Sequence, residues 1–272
     1  MARLEENVSL QLKAMLHIKR PLLKVDLKKL EAKDTVILAD AQREAVELAS
    51  QSGVMLLTGG PGTGKTTTVK TLLALYDDND LDVELAAPTG RAARRLSETT
   101  GHEAQTLHRL LDFNPQDQTF RRDEERLIEA DVIVIDETSM VDLSLFNALL
   151  KATPPKARLV FVGDANQLPS VGAGRVYQDL LDVGTLPTVT LTQVFRQAQE
   201  SYIIVNAHQI LRGQPLINPL SSPHTPPISP PAPPPTPPQH TSTEFVDKDD
   251  QSEEEGVERP QSVPEQPEQP EQ

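Results

Sequence analysis

A chain of 272 residues holds one domain of ordinary size with a full core, or a domain with appendages. Its net charge of −14 is uneven: from Pro219 onward eleven acidic residues stand against two basic ones, a net of −9 that leaves −5 on the body before it. Bulk charge therefore neither supports nor excludes nucleic-acid binding, whereas the lack of any cysteine excludes a disulfide framework and a cysteine nucleophile or metal ligand.

In chain order, the amino terminus shows no continuous apolar stretch of the signal-peptide kind. Leu4, Val8, Leu12, Met15 and Leu16 recur at mostly helical spacing and predict an amphipathic helix over residues 3–18. A second helix is predicted over about 41–51, with Asp40 as its N-cap. Short apolar runs then appear at 54–57, 83–86, 132–135 and 159–162, each followed by turn residues and a helix-like stretch. Strands buried on both faces and alternating with helices predict an α/β fold around a central parallel sheet. None of these runs is long enough to span a bilayer, so the expectation is a soluble, cytoplasmic protein without membrane contact. A further helix-like stretch near 201–212 closes the globular part at Gly213. From Pro219 onward lie 15 of the 24 prolines, an acidic stretch and a short PEQ repeat. Proline removes backbone donors and Glu/Gln has little apolar surface to bury, so this tail is expected to be disordered, with polyproline II character. A proline-docking partner is the other reading of it.

Gly59-Gly60-Pro61-Gly62-Thr63-Gly64-Lys65-Thr66 matches G-x-x-x-x-G-K-[ST] between a predicted strand and a predicted helix. Glycines let the backbone curl with its N–H groups toward phosphate oxygens, and the following helix offers its positive end. Gly60, Pro61, Gly62, Thr63, Gly64, Lys65, Thr66 and Thr67 are the expected nucleotide cradle, Lys65 reaching the β- and γ-phosphates and the Thr66 hydroxyl a Mg2+ ion. The plainer reading is a glycine-rich turn. The run VIVIDE delivers Asp136 and Glu137 to the carboxyl edge of the sheet. There Asp136 would hold Mg2+ and Glu137 would orient the attacking water, although an Asp-Glu pair after a strand is often only a solvated strand end. In the loop after 159–162, Gln167 or Asp164 could sense a γ-phosphate, while the Gly and Pro residues there could equally be only a turn; spacing leaves those two readings even.

The blocks GGPGTGKTTT, AAPTGRAARRLSETTG, AQTLHRLL, VIVIDETSM, VGDANQLPSVGAG and LTQVFRQ resemble, in order, the motifs of RecD-like DNA helicases of superfamily 1, over about residues 5–215. The resemblance implies a RecA-like P-loop core that uses ATP and Mg2+. In it Gln42, 17 residues before Gly59, reads the adenine edge, Gln167 senses the γ-phosphate, and Arg196 reaches that phosphate from the far side of the domain. It also implies contacts to single-stranded DNA from Pro88, Thr89, Gly90 and Arg91 and from Thr106 and His108. Hydroxyls, backbone N–H groups and arginines bind phosphates without reading sequence. Arg94, Arg95, Arg121 and Arg122 either extend this track or stand on a solvated face. Aromatic residues make up only 3% of the chain, which favours backbone tracking over base stacking. The turn-rich stretch 113–122 sits where these helicases carry a strand-separating hairpin.

The expected organisation is a helical leader over 1–40, a RecA-like first motor domain over 41–214 and the tail over 215–272. The resemblance implies 5′-to-3′ movement. It also implies a second motor domain with a further arginine, which this chain does not show, so a truncated or split product unable to unwind DNA alone is expected, its other half supplied by a separate chain. A non-catalytic ATP-binding module whose tail recruits a partner, and a ring-forming P-loop ATPase, are the alternatives.

Overall fold

Successive side chains of a strand point to opposite faces, and the apolar runs of this chain use both. The computed structural model describes residues 2–195 and 201–217. The chain divides into two units, Met1–Thr225 and Pro226–Gln272; the second lies outside the described residues, and with it nearly all of the predicted tail. Strands β1 (Val54–Gly59), β2 (Val83–Ala87) and β3 (Ala104–Thr106) are followed by a two-stranded antiparallel hairpin of β4 (Phe113–Asn114) and β5 (Thr119–Phe120). β6 (Val132–Ile135), β7 (Arg158–Gly163) and β8 (Thr188–Leu191) complete a six-stranded sheet of order β3-β2-β6-β7-β1-β8, and all its pairings are parallel.

Val54, Leu56, Ile133, Ile135, Leu159 and Phe161 enter one apolar layer, and Met55, Leu57, Val132, Val134, Val160 and Val162 the other. β6 is β-branched at all four positions, which favours the extended backbone, and both its faces are fully covered. Each such side chain contributes about 1.5–3 kcal/mol by leaving water. The first layer is closed by α1 (Ala2–His17), α6 (Leu107–Leu110), α7 (Leu143–Ala152) and α8 (Val176–Val183). The second is closed by α2 (Leu27–Asp34), α3 (Asp40–Gln51), α4 (Lys65–Asp77) and α5 (Gly90–Thr100). A last helix, α9 (Tyr202–Leu211), buries none of its residues. Among the described residues no helix is long and apolar enough to cross a membrane.

The predicted parallel α/β sheet is thus observed, with β3, β8 and α2 added to it. β3 reads AQT and α2 reads LKKLEAKD, with Leu30 its fully buried apolar residue, so neither carries a periodic apolar signal. α3 begins at Asp40 and not after it: the N-cap is Ala39, and Asp40 is not a cap. Gln42, at the third helical position, accepts from the Ala39 N–H at 3.0 Å through Oε1, which is the N3 half of a capping box.

Val8, Leu12 and Met15 of α1 pack in the same layer as β1, β6 and β7. Two arginines fasten the connection that follows. Arg20 donates to the carbonyls of Met15, Ile18, Pro155, Lys156 and Ala157, and Arg158 to those of Pro21, Ala49 and Ser52. Burial pulls both guanidinium groups below their ordinary pKa. Gly53 makes room for this staple, since a Cβ there would meet Arg20 Nη1 at 2.0 Å.

Because the strands are parallel, the loops after β1, β2, β3, β6 and β7 all leave from one edge of the sheet.

Candidate active site

The loop after β1 turns through Gly62 at φ 75° and Gly64 at φ 86°, and Gly64 is the N-cap of α4. A Cβ on Gly64 would lie 2.7 Å from both Gln42 Nε2 and Phe195 Cε2, so glycine is required there by conformation and by space. Thr63 Oγ1 donates to Gly60 O at 2.9 Å, and Phe195 N donates to Gly62 O at 3.2 Å, bracing the loop from within and from the segment after β8. The Lys65 ammonium donates to Gly59 O at 2.6 Å and Gly60 O at 3.0 Å, which holds it at the loop mouth. Gln42 donates to Gly64 O at 3.3 Å, so the expected adenine reader is anchored on the loop itself.

Residues 60–67, Gln42, Asp136, Glu137 and Gln167 line one cavity of about 810 Å³. The sequence reading thus has its cradle and its carboxylates brought together; Arg196 lies outside the described residues. Asp136 Oδ1 accepts from the Glu137 N–H at 2.9 Å. Burial holds the Asp136 carboxyl above the ordinary range; the Glu137 N–H, Lys65 and Arg95 pull it down, and the charge of Glu137 pushes it up. Glu137 sits in the left-handed region at φ 54°, and its Oε2 is buried without a hydrogen-bond partner. Gln167 Oε1 accepts from Ser139 Oγ at 3.3 Å. Asp164 does not line this cavity and accepts from Asn166 N at 2.9 Å, so of the two candidates in that loop only Gln167 reaches the cavity.

Among the described residues no group of three His, Cys, Asp or Glu side chains converges on a metal position. The pair that shares the cavity, one Thr66 hydroxyl and one Asp136 carboxylate, fits Mg2+, which keeps several waters and takes its other ligands from nucleotide phosphates.

Sequence reasoning did not assign Val36, Ala92, Arg95, Leu96 and Thr99 to this cavity, although all five line it. Four of them are on α5, where helical phase alone does not say which face meets α4.

The expected strand-binding residues lie at the ends of the adjacent strands β2 and β3. Thr89 is the N-cap of α5, its Oγ1 accepting from Ala92 N at 3.2 Å, and Thr106 caps α6 in the same way through Arg109 N at 3.2 Å. Each hydroxyl keeps its O–H to donate outward. Thr89, Gly90 and Arg91 are exposed, and Pro88 is partly so. His108 is exposed but packs its ring edge-on against Phe113, centroids 5.2 Å apart, and lies 5.7 Å from Phe120. It therefore ties α6 to the β4–β5 hairpin.

A family model described as an AAA domain (AAA_19) matches residues 42–173. The chain is 44% identical over 177 residues to the ATP-dependent RecD2 DNA helicase of Deinococcus radiodurans, a match that covers 65% of this chain and 24% of that protein. To the RecBCD enzyme subunit RecD of Mycobacterium tuberculosis it is 46% identical over 203 residues, covering 66% of this chain and 34% of the relative. The crystal structure of the Pif1 helicase from Candida albicans aligns with a TM-score of 0.49 at 27% identity, over 64% of this chain and 44% of that one. The chain spans about a quarter to a third of the length of these two curated relatives.

Proposed function

We propose that this chain, which carries a RecD-like P-loop motor domain of helicase superfamily 1, binds and hydrolyses Mg-ATP and grips single-stranded DNA by its backbone. The observation that carries the reading is the meeting of residues 60–67 with Asp136, Glu137 and Gln167 around one cavity. In it the backbone amides and Lys65 hold the phosphates. Thr66 and Asp136 would hold Mg2+, which supplies charge neutralisation at the phosphoryl group. Glu137, which lines the cavity beside Asp136, takes a proton from the attacking water, and Gln167 reads the terminal phosphate. Arg196 adds charge at the same phosphate by resemblance. The hydroxyls of Thr89 and Thr106, with Gly90 and Arg91, follow the strand; Pro88 shapes that loop, and His108 joins it to the hairpin.

Movement along DNA, 5′ to 3′ by resemblance, requires two domains that close around ATP while alternating their grip. The described residues form one such domain, so unwinding is assigned to it together with a second, on this or another chain. The test is ATP turnover by the full chain with and without oligo-dT. DNA-stimulated, magnesium-dependent turnover abolished by Lys65→Ala is expected; a chain with no magnesium-dependent affinity for ATP would sink the reading.

A further inference from the structure

Resting on that nucleotide reading, we propose that Arg95 is a nucleotide-binding residue whose guanidinium engages the polyphosphate of ATP from α5. Arg94 and Arg95 are adjacent, so their side chains diverge by about 100° around the helix. Arg94 is tied on the solvent face to Glu98, Nε to Oε1 at 2.8 Å, with both side chains largely exposed. Arg95, exposed as well, lies further round the helix and lines the cavity with Ala92 and Thr99, three residues before and four after it, and with Lys65, Thr66, Asp136 and Glu137. Among the described residues its side chain makes no hydrogen bond or ion pair.

A planar guanidinium matches two phosphate oxygens at once, which makes an unpaired arginine facing this cavity a phosphate ligand in kind. Arg95 also stands one helical turn, about 5.4 Å, beyond Arg91 of the strand-binding loop. One helix therefore carries a contact to each substrate.

The experiment uses the full chain and calorimetric titration with Mg-ATP, with oligo-dT affinity measured separately without nucleotide. Arg95→Ala is expected to weaken Mg-ATP binding by about ten- to hundredfold, the range for a charge-assisted hydrogen bond, and Arg95→Lys by less. Strand affinity without nucleotide stays within threefold of the parent. Mg-ATP affinity of Arg95→Ala within threefold of the parent overturns the proposal, whether or not strand affinity falls. Lys65→Ala separates the two levels of argument: if it binds Mg-ATP as well as the parent does, the nucleotide reading fails and the Arg95 assignment goes with it.

Discussion

Thr89 is given two tasks by one oxygen, and they separate on substitution. Its Oγ1 accepts from Ala92 N and caps the 11-residue α5, while its O–H is free to donate to a DNA phosphate. Thr89→Ala removes both. Loss of an N-cap costs about 1 kcal/mol, and for a domain of this size each kcal/mol lowers Tm by about 2–4 °C. A hydrogen bond to a charged acceptor is worth about 1.5–3 kcal/mol, so oligo-dT affinity falls by about ten- to a hundredfold. Thr89→Ser keeps the hydroxyl and restores both quantities. No charge is removed, so the slope of log affinity against log salt stays as in the parent; Arg91→Ala instead lowers that slope by about 0.7. Thermal melts and fluorescence anisotropy across a salt series read both effects. A Thr89→Ala protein that melts early yet binds oligo-dT within twofold of the parent would show the hydroxyl to be a cap and nothing more.

Glu137→Gln is expected to slow ATP hydrolysis by about 10²–10⁴-fold while Mg-ATP affinity, measured by calorimetry, stays within threefold. Gly64→Ala meets a left-handed backbone and contacts of 2.7 Å to Gln42 and Phe195. The conformational cost of about 1–2 kcal/mol and a packing cost of about 1–3 kcal/mol should lower Tm by several degrees and Mg-ATP affinity at least tenfold. Tyr177→Phe deletes a buried phenol that donates to Leu57 O at 2.9 Å and whose pKa burial drives up; a loss of about 1–2 kcal/mol, read as a fall in Tm, is expected.

The parts of this site that the sequence discloses are those in which cause and effect are neighbours. The 59–66 loop is legible because its glycines, its lysine and the start of α4 act on one another within eight residues, and β6 because its apolar, β-branched run is the strand. The Arg20 and Arg158 staple is illegible for the opposite reason: each arginine bonds carbonyls more than 100 residues away, and nothing local to either one specifies that. Gln42 stands out only by resemblance, as the adenine reader; its bond from Ala39 N is local, but its donation to Gly64 O depends on how α3 docks beside the loop after β1. Arg95 falls between these cases. Identity and position do not distinguish it from Arg94, and a strand-binding track absorbs both equally well. A local signal does exist in Glu98, four residues beyond Arg94 and three beyond Arg95. The i,i+4 pairing fixes Arg94 to the solvent face, and the turn of about 100° between neighbours then directs Arg95 elsewhere. Helical phase read against charge pairing gives the direction of that side chain; only the packing of α5 beside α4 shows that the cavity lined by residues 60–67 lies there.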